Sequence, residues 1–436
     1  MDRIGGWKSN GATKGGCSVK IEVQSWEFEV DLAHKKLPIS NFNLMRLDFP
    51  KGFFWGTSTA AAQVETASAH PWRGLRAKDG YIFEQTTGHE KRRMEDAEFI
   101  LRLGSIYRCG VDWSRLQTEP FGKFDKDVVK EYCDFFEKLQ KGGVGLMFVL
   151  HHFAHPNWFE QRGGWTNEEN IPMFLDYVRQ CTKHFGDYVR YWNTFNEPNV
   201  YAMNAFLLGN FPPFKKGKYL TANRVLDNMG QAHEIAFQMI REKSDARIGI
   251  SLNTALFEGT NLLGSVVAAF VRWWFMSRAA RPFEKCDFWG LSYYAYMLFD
   301  PLPMDAIDRK SDLEKRGIPH DKMWGYKPEG LGQVLRRFSK KYAKPIIITE
   351  NGICTDDAQQ RIRALKDYLK VCHEAIQDGV NLLGYVHWST WDNFEWHLGP
   401  TYRFGLVRVD FDTMERTMTE AGLFYEKVAR ENSLEV

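Results

Sequence analysis

The sequence predicts a single (β/α)8 TIM barrel. Three observations carry the prediction. Eight β-prone runs recur along 436 residues, at 53–57, 106–113, 145–151, 191–196, 247–252, 288–293, 345–350 and 382–388. Apolar residues at helical spacing lie between several of these runs. No linker divides the chain, and α/β barrels commonly exceed the ~100–200 residues of an ordinary domain. An open doubly wound sheet is the alternative. It calls for a glycine-rich phosphate loop, G-x-G-x-x-G, after an early strand, and the sequence contains none.

Residues 1–47 are read as an N-terminal extension, with a strand at 19–23, ahead of a catalytic domain spanning 48–436. The first 20 residues are glycine-rich and polar and lack the apolar core of a signal peptide. After the second strand, Val128, Val129, Tyr132, Phe135, Phe136 and Leu139 form a helical stripe that stops at Gly142-Gly143. Phe174, Tyr177, Val178, Cys181 and Phe185 repeat the pattern before Gly186, as do Ile362, Leu365, Tyr368, Leu369, Cys372 and Ile376 before Gly379. The stripes are faces laid on a sheet, and the glycines are stops. The most membrane-like stretch, 261–280, contains Arg272 and Arg278. A packed helix is expected there, with an amphipathic surface segment as the alternative.

Composition narrows the function. A formal charge of +2 gives no basis for a nucleic-acid partner. Hydrophobic residues, 44% of the chain, provide for a large core, and 15% aromatics suit sugar-stacking surfaces. The seven cysteines are odd in number and without C-x-x-C spacing, which predicts a reducing compartment, the cytoplasm. His151, His152 and His155 have no carboxylate or thiol at ligand spacing, so neither a metal nor a cofactor is expected.

Two strings carry the chemistry. Thr194-Phe195-Asn196-Glu197-Pro198 and Ile348-Thr349-Glu350-Asn351-Gly352 each leave a carboxylate beside an asparagine where a strand should end. Facing carboxylates are what glycosidic bond cleavage needs: one protonates the departing oxygen, and the other attacks or guides water. In a barrel the reacting groups stand at the carboxyl ends of the strands. Gln63, Arg108, His151, His152, Asn196, Glu197, Tyr293, Tyr294, Glu350 and Trp388 all fall at or near such ends.

These residues resemble the family 1 glycoside hydrolases, with β-glucosidases and β-galactosidases as typical members. The likeness begins at Phe49-Pro50-Lys51-Gly52-Phe53-Phe54-Trp55-Gly56-Thr57 and Gln63-Val64-Glu65. It continues through Tyr107-Arg108, Trp113-Ser114-Arg115, His151-His152-Phe153 and the two carboxylate strings. It closes at Trp388-Ser389, Asp392-Asn393-Phe394-Glu395-Trp396 and Arg403-Phe404-Gly405-Leu406, and covers roughly residues 48 to 430. The resemblance implies a retaining double displacement with Glu350 as nucleophile and Glu197 as acid/base. It implies that Arg108 and Tyr294 contact the nucleophile and that Asn196 holds the sugar 2-hydroxyl. Gln63, His152, Glu395 and Trp396 match the contacts to glycone hydroxyls, and Trp388 matches the ring beneath the sugar.

By the same resemblance, Glu395 stands where the branch acting on 6-phosphorylated sugars has a serine, so an unphosphorylated sugar of the glucose or galactose class is expected. Glu197 is glutamine in the thioglucosidase branch. Several features depart from the common pattern: a short segment at 66–90, Ser292 before the paired tyrosines, and Ala154-His155 before Pro156. The short loop predicts an open aglycone side. The string Gly110-Val111-Asp112-Trp113-Ser114-Arg115 resembles the plant galactolipid-remodelling branch. The expected partner is therefore a small-molecule or oligosaccharide glycoside. A glycolipid substrate and membrane association stay open, as does a transglycosylase transferring galactose between galactolipids.

Overall fold

The fold is given by a computed structural model. It describes residues 45–66, 69–84, 86–300 and 313–436 in full, together with the backbone of Ser18–Val23, Trp26–Asp31, Ala306–Ile307 and residues 310–312. Cys17 lies outside the described residues. The chain forms two compact units, Met1–Met45 and Arg46–Val436. Within the first, Ser18–Val23 and Trp26–Asp31 pair antiparallel, so the strand expected at 19–23 is one arm of a hairpin.

The second unit is the barrel. Its strands are β1 (Phe54–Ser58), β2 (Ile106–Gly110), β3 (Gly145–His151), β4 (Val189–Asn196), β5 (Arg247–Gly259), β6 (Phe288–Phe299), β7 (Ile346–Asn351) and β8 (Leu382–Trp388). Each is parallel to the next, and β8 pairs with β1 to close the ring. Arg46–Asp48 pairs antiparallel with Ser433–Glu435, tying the ends of this unit together. All eight expected strands are present, with four changed in length; β4 begins earlier than expected, at Val189. β2 ends at Gly110 because Asp112 accepts from Ser114 N and starts the short helix Trp113–Leu116. β5 and β6 run well past their expected ends because Ala255–Gly259 pairs with Ala295–Phe299 beyond the barrel.

The expected helices form where the apolar stripes lie. Asp125 caps Lys126–Lys141 by accepting from the Asp127 and Val128 amides, and Tyr132, Phe135, Phe136 and Leu139 are its buried face. Asp357 caps Ala358–Gln377 in the same way, and the chain then turns at Gly379, with φ 89°.

Two features position the site. The lower barrel is filled by Phe54, Ile106, Met147, Phe288, Ile347 and Val386, one residue from each of six strands. With that end plugged, a substrate meets the barrel at its carboxyl-end rim. Each carboxylate string also contains a register irregularity, between Asn193 and Asn196 on β4 and between Ile348 and Glu350 on β7. On β4, Thr194 bonds outward to His233 while the adjacent Phe195 packs on Phe283 and Trp165. Two successive outward residues turn Asn196 toward the barrel axis, as bulges beside active sites do.

Candidate active site

Arg108 organises the centre. Alternation from Ile106 in the barrel plug points it inward, where it is completely buried. Its guanidinium reaches four other strands, donating to Ser58 Oγ of β1, Asn196 Oδ1 of β4, Ser251 Oγ of β5 and Glu350 Oε1 of β7. The Glu350 contact is 2.6 Å. Tyr294 of β6 donates to the other oxygen, Glu350 Oε2, at 2.9 Å. Burial raises the Glu350 carboxyl pKa above its ordinary value, and the Arg108 charge and the Tyr294 hydroxyl oppose that rise.

Glu197 sits in a different environment. It leaves β4 in the left-handed region, at φ 44° and ψ 58°, and Pro198 opens the helix that follows. This conformation is uncommon for a residue with a side chain and collects at functional sites. The carboxylate accepts from Asn253 Nδ2 at 2.9 Å, an amide instead of a cation. Burial, followed by the charge of Glu350, pushes its pKa up to about 8. Of two buried carboxyls, the one without an ion-pair partner keeps the shared proton at neutral pH.

The polar wall around them is constrained in orientation. Because Asn196 Oδ1 accepts from Arg108, its Nδ2 faces His152 Nε2 at 2.8 Å. His152 is held neutral by burial and by the nearby Arg108 charge, so Nε2 accepts and Nδ1 carries the proton. That Nδ1 has no partner among the described residues, nor has the buried Gln63 Oε1. Gln63 Nε2 is committed to Phe394 O, Asn393 Oδ1 and Glu395 Oε2. An unmatched donor and an unmatched acceptor in a pocket suit a polyhydroxylated ligand. Burial and the Glu350 charge raise Glu395 to about 8.

Aromatic rings complete the pocket. The His152 ring lies 5.7 Å from Trp388 and 5.8 Å from Trp396. Trp396, itself at φ 42°, is backed by Trp72 at 4.8 Å and Phe153 at 5.1 Å. Trp72 belongs to the short 66–90 segment and donates to Phe153 O, so that loop buttresses the Trp396 side of the pocket despite its length. The structure brings Gln63, Arg108, His152, Asn196, Glu197, Tyr294, Glu350, Trp388, Glu395 and Trp396 to one rim. It leaves out two residues of the sequence-predicted set. His151 bonds to His155 and Trp165 in the core, and Tyr293 bonds to Lys327 O. Asn253, Ser251 and Trp72 are contacts that sequence reasoning did not single out. Asn253 stands one residue beyond the expected end of its strand, which is the one signal it carried.

Comparison with known proteins decides the family. The sequence profile of glycosyl hydrolase family 1 matches residues 45–262 and 279–434. The chain belongs to glycosyl hydrolase family 1. As a family 1 enzyme it is a retaining O-glycoside hydrolase acting on β-linked sugars. Among the most similar relatives is β-glucosidase A of Thermotoga maritima, 32% identical over 89% of this chain and 99% of that protein. Another is β-glucosidase 1 of Oryza sativa, 30% identical over 86% and 87%. The solved family 1 β-glucosidase from Thermotoga maritima superposes with a TM-score of 0.82 at 30% identity, covering 90% of this chain and all of that one. A second structure of that family 1 enzyme, in complex with isofagomine lactam, gives 0.82 at 29% identity over 89% and 100%.

Proposed function

We propose that the enzyme removes a terminal, unphosphorylated β-linked sugar of the glucose or galactose class, with Glu350 as nucleophile and Glu197 as acid/base. The observation that carries the assignment is the asymmetry between the two carboxyls. Glu350 is bonded to a guanidinium and a phenol, whereas Glu197 is bonded to an amide. The first stays ionised for attack on the anomeric carbon, and the second keeps its proton for the leaving oxygen. Once Glu350 is esterified its charge is gone, one cause of the raised Glu197 pKa is removed, and Glu197 takes a proton from the incoming water.

In this reading Asn196, oriented by Arg108, meets the 2-hydroxyl. Gln63 Oε1, His152 Nδ1, Glu395 and Trp396 meet the remaining hydroxyls, with Trp388 under the ring. A phosphate on the sugar would face the carboxyls of Glu395 and Glu350, which favours a plain glycone. Hydrolysis is preferred to transfer between galactolipids because relatives matching most of this chain are named β-glucosidases. The cytoplasm remains the proposed location, supported by free thiols at Cys109, Cys133, Cys181, Cys286, Cys354 and Cys372. Among the described residues no helix is long and apolar enough to cross a membrane.

The test is a panel of p-nitrophenyl β-glycosides with the first-formed sugar followed by proton NMR. Turnover of the glucoside or galactoside with β-anomer appearing first is expected. An α-anomer first, or preference for the 6-phospho sugar, would overturn the proposal.

A further inference from the structure

The family profile passes over residues 263–278. This segment follows the overlong β5, so it begins at the end of the barrel that bears the active site. The helix Leu262–Arg272 buries only Gly264 and Ala268. Gly264 presses on strand β6 so closely that a Cβ there would lie 2.3 Å from Phe299 O. The other side of the segment is apolar and open: Leu262 is 82% exposed, Leu263 63%, Val266 62%, Phe270 56% and Trp273 49%. Single exposed apolar residues are ordinary, but a contiguous row of five along one helix is an interaction surface.

The charge within this stretch of sequence has one sign. Residues 259–283 contain no Asp or Glu. Beside the row lies a cleft of about 140 Å³, between the segment and the helix Glu329–Tyr342. Arg272, Arg337 and Lys341 line it above Trp273, Phe338 and Tyr342. None of the three cations has an ion-pair partner among the described residues, and burial, followed by the nearby Arg272 charge, disfavours the charge of Arg337. Cations left to repel one another beside an apolar row call for an anionic partner.

We propose that this face docks on an anionic phospholipid bilayer. The helix lies in the interface plane with Leu263, Val266 and Phe270 among the acyl chains, and the cleft cations meet headgroup phosphates. The helix runs on through the π-helical turn Trp273–Arg278 and carries Arg272 and Arg278, and among the described residues no helix is long and apolar enough to span, which fits surface attachment. Pairing with a second copy through the same face would set Arg272, Arg337 and Lys341 against their own copies with no counter-charge. The proposal is independent of the roles assigned to Glu197 and Glu350.

The experiment is co-sedimentation of the full chain with phosphatidylcholine vesicles, with and without phosphatidylglycerol. Wild type is expected to bind the anionic vesicles and to release as salt rises. The double variants Leu263→Glu/Phe270→Glu and Arg272→Gln/Arg337→Gln should each bind about tenfold more weakly or worse. Both should hydrolyse a soluble p-nitrophenyl glycoside at the wild-type rate, which reports an intact barrel. No sedimentation with anionic vesicles, or equal binding by both variants, overturns the proposal. So does a dimer in analytical ultracentrifugation that Leu263→Glu/Phe270→Glu dissociates, because the face then belongs to a second copy.

Discussion

Arg108 Nη1 donates to Glu350 Oε1 at 2.6 Å in a contact where the guanidinium is fully buried and the carboxylate nearly so. Removing one partner from such a pair strands the other charge and costs about 3–5 kcal/mol. Arg108→Met should therefore lower thermal stability and raise the Glu350 pKa further. Under the proposed assignment activity needs ionised Glu350, so the acid limb of the kcat/KM profile should move to higher pH. An unmoved acid limb would mean that Arg108 does not set the nucleophile's charge.

The two carboxylates can be separated by chemical rescue. Glu350→Gly should nearly abolish hydrolysis, with azide or formate restoring turnover and giving product of inverted configuration, because the anion occupies the nucleophile's place. Glu197→Ala should yield β-glycosyl azide with retention from substrates with good leaving groups. Product stereochemistry by NMR decides, and the opposite pair of outcomes would exchange the roles.

Glu197 should also leave a mark on stability. Its folded pKa of about 8 lies above the ordinary 4.5, so the native state holds this proton more tightly than the unfolded chain. The resulting stability is fully present below about 4.5 and is lost as pH rises through 8. Glu197→Gln removes the dependence, so its melting temperature should gain on wild type between those values. Asn253→Ala removes a donor that favours the charged form. In that variant the alkaline limb of kcat/KM should move upward.

The sequence made the strands and the proposed catalytic pair legible for physical reasons. Strand periodicity, helix-stopping glycines and a carboxylate after each of two β-prone runs are local signals. What lay beyond it depends on contacts distant in the chain. The pairing of Ala255–Gly259 with Ala295–Phe299 lengthens both strands and brings Asn253 to Glu197, and no local pattern announces it. Likewise His151 and His152 are adjacent and chemically identical. Only the packing of Trp165 and His155 against the first assigns it to the core and leaves the second to Asn196.

Glu395 offers the sharpest test of the sugar pocket. Its carboxyl touches Gln63, and burial with the Glu350 charge holds it near 8, so at neutral pH it is largely protonated before a sugar binds. Glu395→Gln keeps that shape and neutrality and should retain much of the wild-type turnover. Glu395→Ser loses the partner altogether. Leaving buried hydrogen-bonding groups without this partner costs roughly 1–3 kcal/mol, so turnover of plain glycosides should fall by about one to two orders of magnitude. Turnover of the 6-phospho substrate should fall less or rise, because the smaller serine removes a carboxyl whose ionised form opposes phosphate. It should remain poor in absolute terms, since Glu350 still presents its charge and no new cation has been supplied. Measuring both substrates on wild type and the two variants separates the possibilities. Equal losses on both substrates in Glu395→Ser would show that this carboxyl does not discriminate against phosphate.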